Sequence, residues 1–357
     1  MFSYFRSAEP TDAPEPVREK TNTAILIPPA APPPPPPTSE EEAAMVEELR
    51  EYTTTLLLPP DDPYHPWEKR FLDDTGTHHR YMRAAKWKLD DAKKRIKATM
   101  EWRREFQPDL IKPDEVAETA ATGKLLLNGF DKESRPIIYM RPGRGRPPDN
   151  DKQIRYLIFL LERAIDIMPD GQERVCIIVD YKDANKQPRQ PMNVSLYVLN
   201  VLQNHYVERL GRGLILNMPW FVNGFFKAIS PFMDPVTRDK ARFNPILTDL
   251  VDPAQLEADY KGGEHAFELD IDTYLQHLKD HCCICEDGTR HFDGVPWYPP
   301  SGRGIVHAKE TRKAAASEGE GEGEGEGETA SVDTVAAQLE KTQLEKAEVP
   351  APAPTAA

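Results

Sequence analysis

The run VCIIVDY, Val175–Tyr181, opens with five apolar residues in succession and no polar alternation. A strand that reads this way is buried on both faces, and such strands sit in parallel sheets covered by helices. The flanking segments agree. IRYLIFLLERAIDIM before it and SLYVLNVLQNHYVERLG after it carry apolar residues at helical spacing, the latter with Leu196, Leu199, Val201 and Leu202 toward the sheet. KLLLNGF and PIIYMR, joined by DKESR, read as two strands and a short turn, and Leu214–Met218 is one more short apolar run. Strand and helix alternate, so the expected class is α/β, a mainly parallel sheet covered by helices. Upstream, Leu89, Ala92, Ile96, Met100 and Phe106 recur at helical spacing in a small N-terminal bundle, with Lys93, Lys94 and Lys97 on its basic, solvated side.

The stretch from His205 to Lys240 carries the candidate site. A helical pattern stops at Gly211, the apolar run follows, and Pro219-Trp220 ends it. Phe221, Val222, Phe225, Phe226, Ile229 and Phe232 then place most of their apolar mass on one broad helical face. In Asp-Pro-Val-Thr, Asp234 reads as an N-cap and Pro235 as the first helical residue, with Thr237 and Lys240 in the first two turns. A helix start with a hydroxyl and an ammonium suits an anion. Beside a phenylalanine-rich helix, it points to a ligand with one apolar and one phosphorylated end. An ordinary core helix followed by an ordinary capped helix is the simpler alternative.

HYVERLG, the strand after it, the NMPW turn, the SPFMDPVT corner and the later KGGE resemble the CRAL-TRIO lipid-binding family. Within it they are most similar to fungal phosphatidylinositol transfer proteins of the secretory and drug-resistance branches. RYMRAAKW and EWRREF are similar to that family's N-terminal helical region, so the resemblance spans roughly residues 65–280. It implies a helical bundle followed by a sheet that encloses an apolar lipid cavity. It also implies a phosphatidylinositol headgroup site at Glu208 and Lys240, with Thr237, Asp234 and Arg209 on the same corner and Pro136 at the matching Arg-Pro strand start. The helix bearing Phe221, Phe225, Phe226, Ile229 and Phe232 matches the gate over the cavity. Lys240 and Thr237 suit a phosphodiester, and Glu208 suits either the lysine or inositol hydroxyls.

Two departures from the family pattern bear on the ligand. Where the family has a second arginine in Arg-Ala-Arg, this chain has Ala85, so one phosphate contact is absent or replaced. Where phosphatidylcholine-binding members carry Ser-x-Thr, this chain has Val175-Cys176-Ile177. Losing two hydroxyls in an apolar pocket disfavours a polar headgroup and suits an apolar second ligand, with sterol the candidate.

Composition bounds the rest. Of 357 residues 35 are proline, and the net charge is −14; residues 61–300 hold 35 basic and 38 acidic residues, so most of the excess lies in the two ends. A nearly neutral folded part gives no sign of nucleic-acid binding. Residues 1–60, with six prolines at 32–37, read as a disordered arm able to dock on a partner that binds proline-rich motifs. Within it, Ser39-x-x-Glu42 is a capping-box pattern for a short helix. The expected organisation is therefore arm 1–60, helical region 61–118, lipid-binding domain 119–280, and a loop plus disordered acidic tail over 281–357, where SEGEGEGEGEGE cannot bury a core. Four cysteines without a disulfide framework, no signal-peptide pattern and no apolar run near 18 residues suggest a cytoplasmic protein. It would meet the endoplasmic reticulum, lipid droplets or the cell periphery from the side.

No nucleotide-binding glycine loop, nucleophile elbow or His-Glu-x-x-His helix is present, so no enzyme class and no cofactor are suggested beyond a bound lipid. His277, His281, Cys282, Cys285 and His291 offer one Cys-x2-Cys spacing but no second pair, which favours packed or incidental cysteines over zinc. His78-His79 reads as a helix start or surface pair. The reading is a soluble phosphatidylinositol-binding and transfer protein that exchanges one lipid per cycle through its gate. The alternative is a non-transferring lipid sensor that recruits partners through its arm.

Overall fold

The computed structural model describes residues 18–34, 37–145, 149–187, 191–219, 224, 240–292 and 294–298. Thr237, Asp234 and the gate residues Phe221, Phe225, Phe226, Ile229 and Phe232 lie outside them, as do the acidic tail and the first 17 residues.

Four helices open the chain: α1 (Glu40–Thr54), α2 (His65–Asp73), α3 (Thr75–Ala84) and α4 (Leu89–Phe106), with α5 (Pro113–Ala120) leading into the sheet. Strands β1 (Leu125–Phe130) and β2 (Pro136–Met140) form an antiparallel hairpin; β3 (Val175–Asp180), β4 (Leu210–Leu216) and β5 (Ala241–Phe243) then add in parallel, in the order β1-β2-β3-β4-β5. Helices α6 (Asn150–Asp166) and α7 (Met192–His205) make the crossovers, and α8 (Ile271–Cys282) packs beside α5 and α6. This is the expected α/β class. Among the described residues, no helix is long and apolar enough to cross a membrane.

The parallel register puts Ile137, Tyr139, Cys176, Ile178 and Leu214 on one face, all fully buried. The opposite face carries Ile138 and Val175, both buried, and then Ile177, Val179 and Ile215, which are only half-buried. The sequence predicts a β3 buried equally on both faces; the structure seals one and leaves the other incompletely covered, beneath α7. That helix carries no Asp, Glu, Lys or Arg, and Leu196, Leu199 and Leu202 are half-buried. An apolar helix over an apolar strand face, neither fully packed, is how a fold makes room for an apolar guest.

The expected disorder through residue 60 fails from residue 18 onward. Thr21 pairs with the backbone of Ala266 and Glu268 at 2.9 Å each, and Ile25 donates to Asn128 Oδ1 at 2.8 Å while its carbonyl accepts from Gly129 N at 2.9 Å. Ala24 and Leu26 are buried in the main core. Gly129 (φ +78°) interrupts the β1 ladder where the strap crosses, and a side chain there would collide with the Gln255 carbonyl. Helix α1 begins at the capping box read from the sequence: Glu42 N donates to Ser39 Oγ (3.2 Å), and Ser39 N donates to a Glu42 carboxylate oxygen (3.0 Å). Its Val46 and Leu49 pack with Met82, Ala92 and Ile96. A segment with so few apolar residues reads as unfolded when taken alone, because the core it joins is built by α3 and α4 and not by itself. The downstream boundary moves too. Past residue 280, Cys282, Ile284 and Arg290 are buried, and β6 (His291–Phe292) pairs with β7 (Val295–Pro296).

His78 lies in the first turn of α3, as a helix start would have it, but it is buried rather than at a surface, with Nε2 2.9 Å from Thr53 Oγ1 of α1. Burial, with Arg50 and Arg80 nearby, lowers its pKa to about 4 from the usual 6.5. The folded state therefore refuses a proton that the unfolded chain accepts below pH 6.5, so stability is full above 6.5 and falls as pH drops toward 4. At about 1.4 kcal/mol per pH unit, His78 withdraws about 2 kcal/mol by pH 5. Urea unfolding at pH 7.5 and 5.0 should show this loss in the parent and a smaller loss in His78→Gln; equal losses would refute it. Leu49→Ala, deep in the helical core, should destabilise by about 2–5 kcal/mol. An unchanged urea midpoint would return α1 to the status of a loose arm.

Candidate functional site

The turn between α7 and β4 is held from both sides. Tyr206 donates its hydroxyl to Glu162 of α6 at 2.7 Å. Arg209 sends its guanidinium the other way, to Asp74 (3.2 Å) and the Glu173 carbonyl (3.0 Å), and its backbone carbonyl accepts from Val175 N. Burial, together with Arg80 close by, lowers the Arg209 pKa to about 10, so it remains a cation at neutral pH. Between these anchors Glu208 adopts a left-handed conformation (φ +58°), which costs a non-glycine residue about 1–2 kcal/mol. The sequence places Glu208 in the last turn of a helix. The structure ends that helix at His205, so Glu208 stands in the turn beyond it.

What Glu208 meets there is Lys240 and Arg174. Both nitrogens stand 3.6 Å from the same carboxylate oxygen, attracted but beyond hydrogen-bond length. Lys240, immediately before β5, has its carbonyl bonded to Gly213 N at 3.1 Å, which fixes its backbone to β4. These groups stand at a cavity of about 360 Å³. Leu161, Val175, Ile177, Leu199 and Leu202 form its apolar wall, from α6, β3 and α7; Arg95, Gln203, Asn204, Glu208 and Lys240 form the polar part. Among the described lining residues, Glu208 is the one carboxylate. With Arg209 committed to Asp74, two cations, Arg95 and Lys240, face Glu208 among the described lining residues, and Arg174 approaches the same carboxylate from outside the lining.

The structure thus brings together Glu208, Lys240, Val175 and Ile177 as the sequence expects. Arg209 lines the same cavity, but its guanidinium serves the protein rather than a headgroup. Pro136 is buried as the first residue of β2, opposite Phe130, and is absent from the lining. Sequence reasoning missed Arg95, which reads as one more cation on a solvated helix, and Arg174, whose placement follows from a strand pairing with no local signature. Cys285 Sγ lies 3.1 Å from His291 Nδ1, and no group of three or more potential metal ligands forms among the described residues.

Residues 120–262 match the family profile described as CRAL/TRIO domain. A CRAL-TRIO domain-containing protein of Schizosaccharomyces pombe is 45% identical over 203 residues, 57% of this chain and 20% of that protein. The phosphatidylinositol transfer protein PDR17 of Saccharomyces cerevisiae is 36% identical over 215 residues, 57% of this chain and 61% of that one. Patellin-6 of Arabidopsis thaliana is 25% identical over 177 residues, covering 45% of this chain and 42% of Patellin-6. This chain therefore spans a fifth to about three fifths of the relatives it matches.

A larger side chain on the apolar wall should fill the space. Ile177→Phe is expected to lower uptake of a fluorescent fatty-acyl probe about tenfold, with little change in thermal midpoint. Undiminished uptake would mean the cavity does not receive acyl chains. The matched profile agrees with the resemblance carried by the motifs: residues 120–262 of this chain match the CRAL/TRIO domain profile.

Proposed function

We propose that this protein binds phosphatidylinositol and carries it between membranes, one molecule per cycle. The observation that carries this reading is an apolar cavity with a cationic polar part: Lys240 and Arg95 line it with Glu208, the one carboxylate among the described lining residues, beside Val175, Ile177, Leu199 and Leu202. Lys240 binds the phosphodiester. Glu208, too far from either cation for a hydrogen bond, keeps its oxygens available for inositol hydroxyls. Thr237 and Asp234 complete the headgroup corner in this proposal, and residues 221–232 form the gate that opens at a membrane. The 36% identity to a yeast phosphatidylinositol transfer protein supports the same reading.

Acyl burial contributes about 0.8 kcal/mol per methylene, but the donor membrane offers nearly the same burial. The difference between lipids therefore rests on the headgroup, which makes exchange reversible and selective. Val175 and Ile177 present hydrocarbon where a hydroxyl would favour a polar guest. The proposal accordingly includes an apolar second ligand of sterol type. It includes no catalytic step.

Mass spectrometry of lipid co-purifying with the protein tests the reading. Phosphatidylinositol is expected in the parent and absent from Lys240→Ala, with the mutant's thermal midpoint unchanged. Equal phosphatidylinositol in both would remove Lys240 from the site. Absence of any phospholipid from the parent, with sterol retained by both proteins, would make it a sterol carrier instead.

A further inference from the structure

Arg95 differs from Lys93 and Lys97 of α4. Lys93 is matched by Glu48 at 2.8 Å and Lys97 by Glu101 at 3.9 Å. Arg95 is exposed and has no carboxylate within 4 Å among the described residues. It lines the same cavity as Glu208 and Lys240. Ala84, the last residue of α3, lines the cavity as well and, with only a methyl group, leaves space beside the guanidinium. The following residue, Ala85, is buried and uncharged, and Arg83 in the last turn of α3 is paired with Glu173 and absent from the lining, so α3 gives the cavity no cation.

The two cations come from different parts of the fold, Arg95 from the N-terminal helices and Lys240 from the start of β5. Their chemistry differs as well. An ammonium is a compact point charge, whereas a guanidinium offers a planar fork of donors that matches two oxygens of one phosphate. A single phosphate at the mouth would satisfy both. It would also discriminate by charge: a phosphate esterified to a neutral polyol compensates the two cations, while one esterified to an alcohol that bears a quaternary ammonium brings a further positive charge beside Arg95 and Lys240.

We infer that Arg95 is a headgroup-binding, specificity-determining residue that shares the lipid phosphate with Lys240 and favours anionic over zwitterionic phospholipid. This deepens the proposed function and rests on it. The test is uptake of labelled phosphatidylinositol and of labelled phosphatidylcholine from vesicles of stated composition, by the full chain and its Arg95→Ala and Arg95→Lys variants. Arg95→Ala should take up phosphatidylinositol about tenfold less well while phosphatidylcholine uptake is unchanged or rises. Arg95→Lys should fall between, because it keeps the charge and loses the fork. Thermal midpoints should stay together, since an exposed side chain without an ion pair holds nothing in place. Equal phosphatidylinositol uptake by parent and Arg95→Ala would overturn the role of Arg95 alone. The same factor lost for both lipids would overturn its part in selectivity. A parent that takes up no phosphatidylinositol would overturn this inference together with the proposed function.

Discussion

A buried charge cluster holds the two halves of the described structure together. Asp109, just after α4, accepts from Arg70 of α2 and Arg103 of α4, each at 2.9 Å, and from the Tyr64 hydroxyl at 2.7 Å. Arg103 reaches on to Glu162 of α6 at 3.0 Å, Arg70 also pairs with Asp166, and Asp166 accepts ion pairs from Arg163 (2.7 Å) and Arg290 (2.8 Å). These side chains are almost wholly removed from water. Burial alone would raise the Glu162 pKa, but Arg103 and Arg70 outweigh it and hold the carboxyl down to about 2. Such a cluster is no stronger than well-packed hydrocarbon, yet removing one member leaves charge stranded at a cost of about 3–5 kcal/mol. Its effect is conformational. The helices α2, α4 and α6 and the segment at Arg290 have one arrangement in which every carboxylate is matched.

The cavity depends on that arrangement. Glu162 directly follows Leu161 of the apolar wall and receives the Tyr206 hydroxyl, so the cluster fixes one end of the α7–β4 turn. A second set of buried charges fixes the other end, where Asp74 takes Arg209 at 3.2 Å and Arg80 at 2.5 Å. Glu208 is strained between two anchored neighbours and has little freedom to leave the mouth. The polar site is thus preorganised by groups that never touch a ligand, while the apolar wall below it is left half-packed. Rigidity sits where charge must be placed, and slack sits where hydrocarbon must enter.

This division explains what could be read early and what could not. The run at Val175, the periodicity of α4 and the capping box at Ser39 are local patterns, and each produced the element expected. Glu208 and Lys240 were legible through resemblance, and the structure brings them within 3.6 Å. Arg209 and His78 were misread for a common reason. Whether a polar side chain faces solvent or a buried partner is decided by residues far away in sequence, Asp74 for one and Thr53 for the other. Arg95 was missed on the same ground, since nothing in α4 alone separates it from Lys93 or Lys97.

The sequence by itself determined the class of fold, the order of its elements and the apolar composition of β3 and α7. Periodicity and composition are enough for those, because they follow from the geometry of one strand or one helix. Only the tertiary structure decided that α1 and the strap at Thr21–Ala30 belong to the folded body, that one sheet face is sealed and the other slack, and which arginines are committed to buried carboxylates and which face the cavity. These outcomes turn on desolvation. A charge or an apolar surface acquires its energetic meaning only when the groups that exclude water from it are assembled, and those groups are scattered along the chain from Asp74 to Arg290.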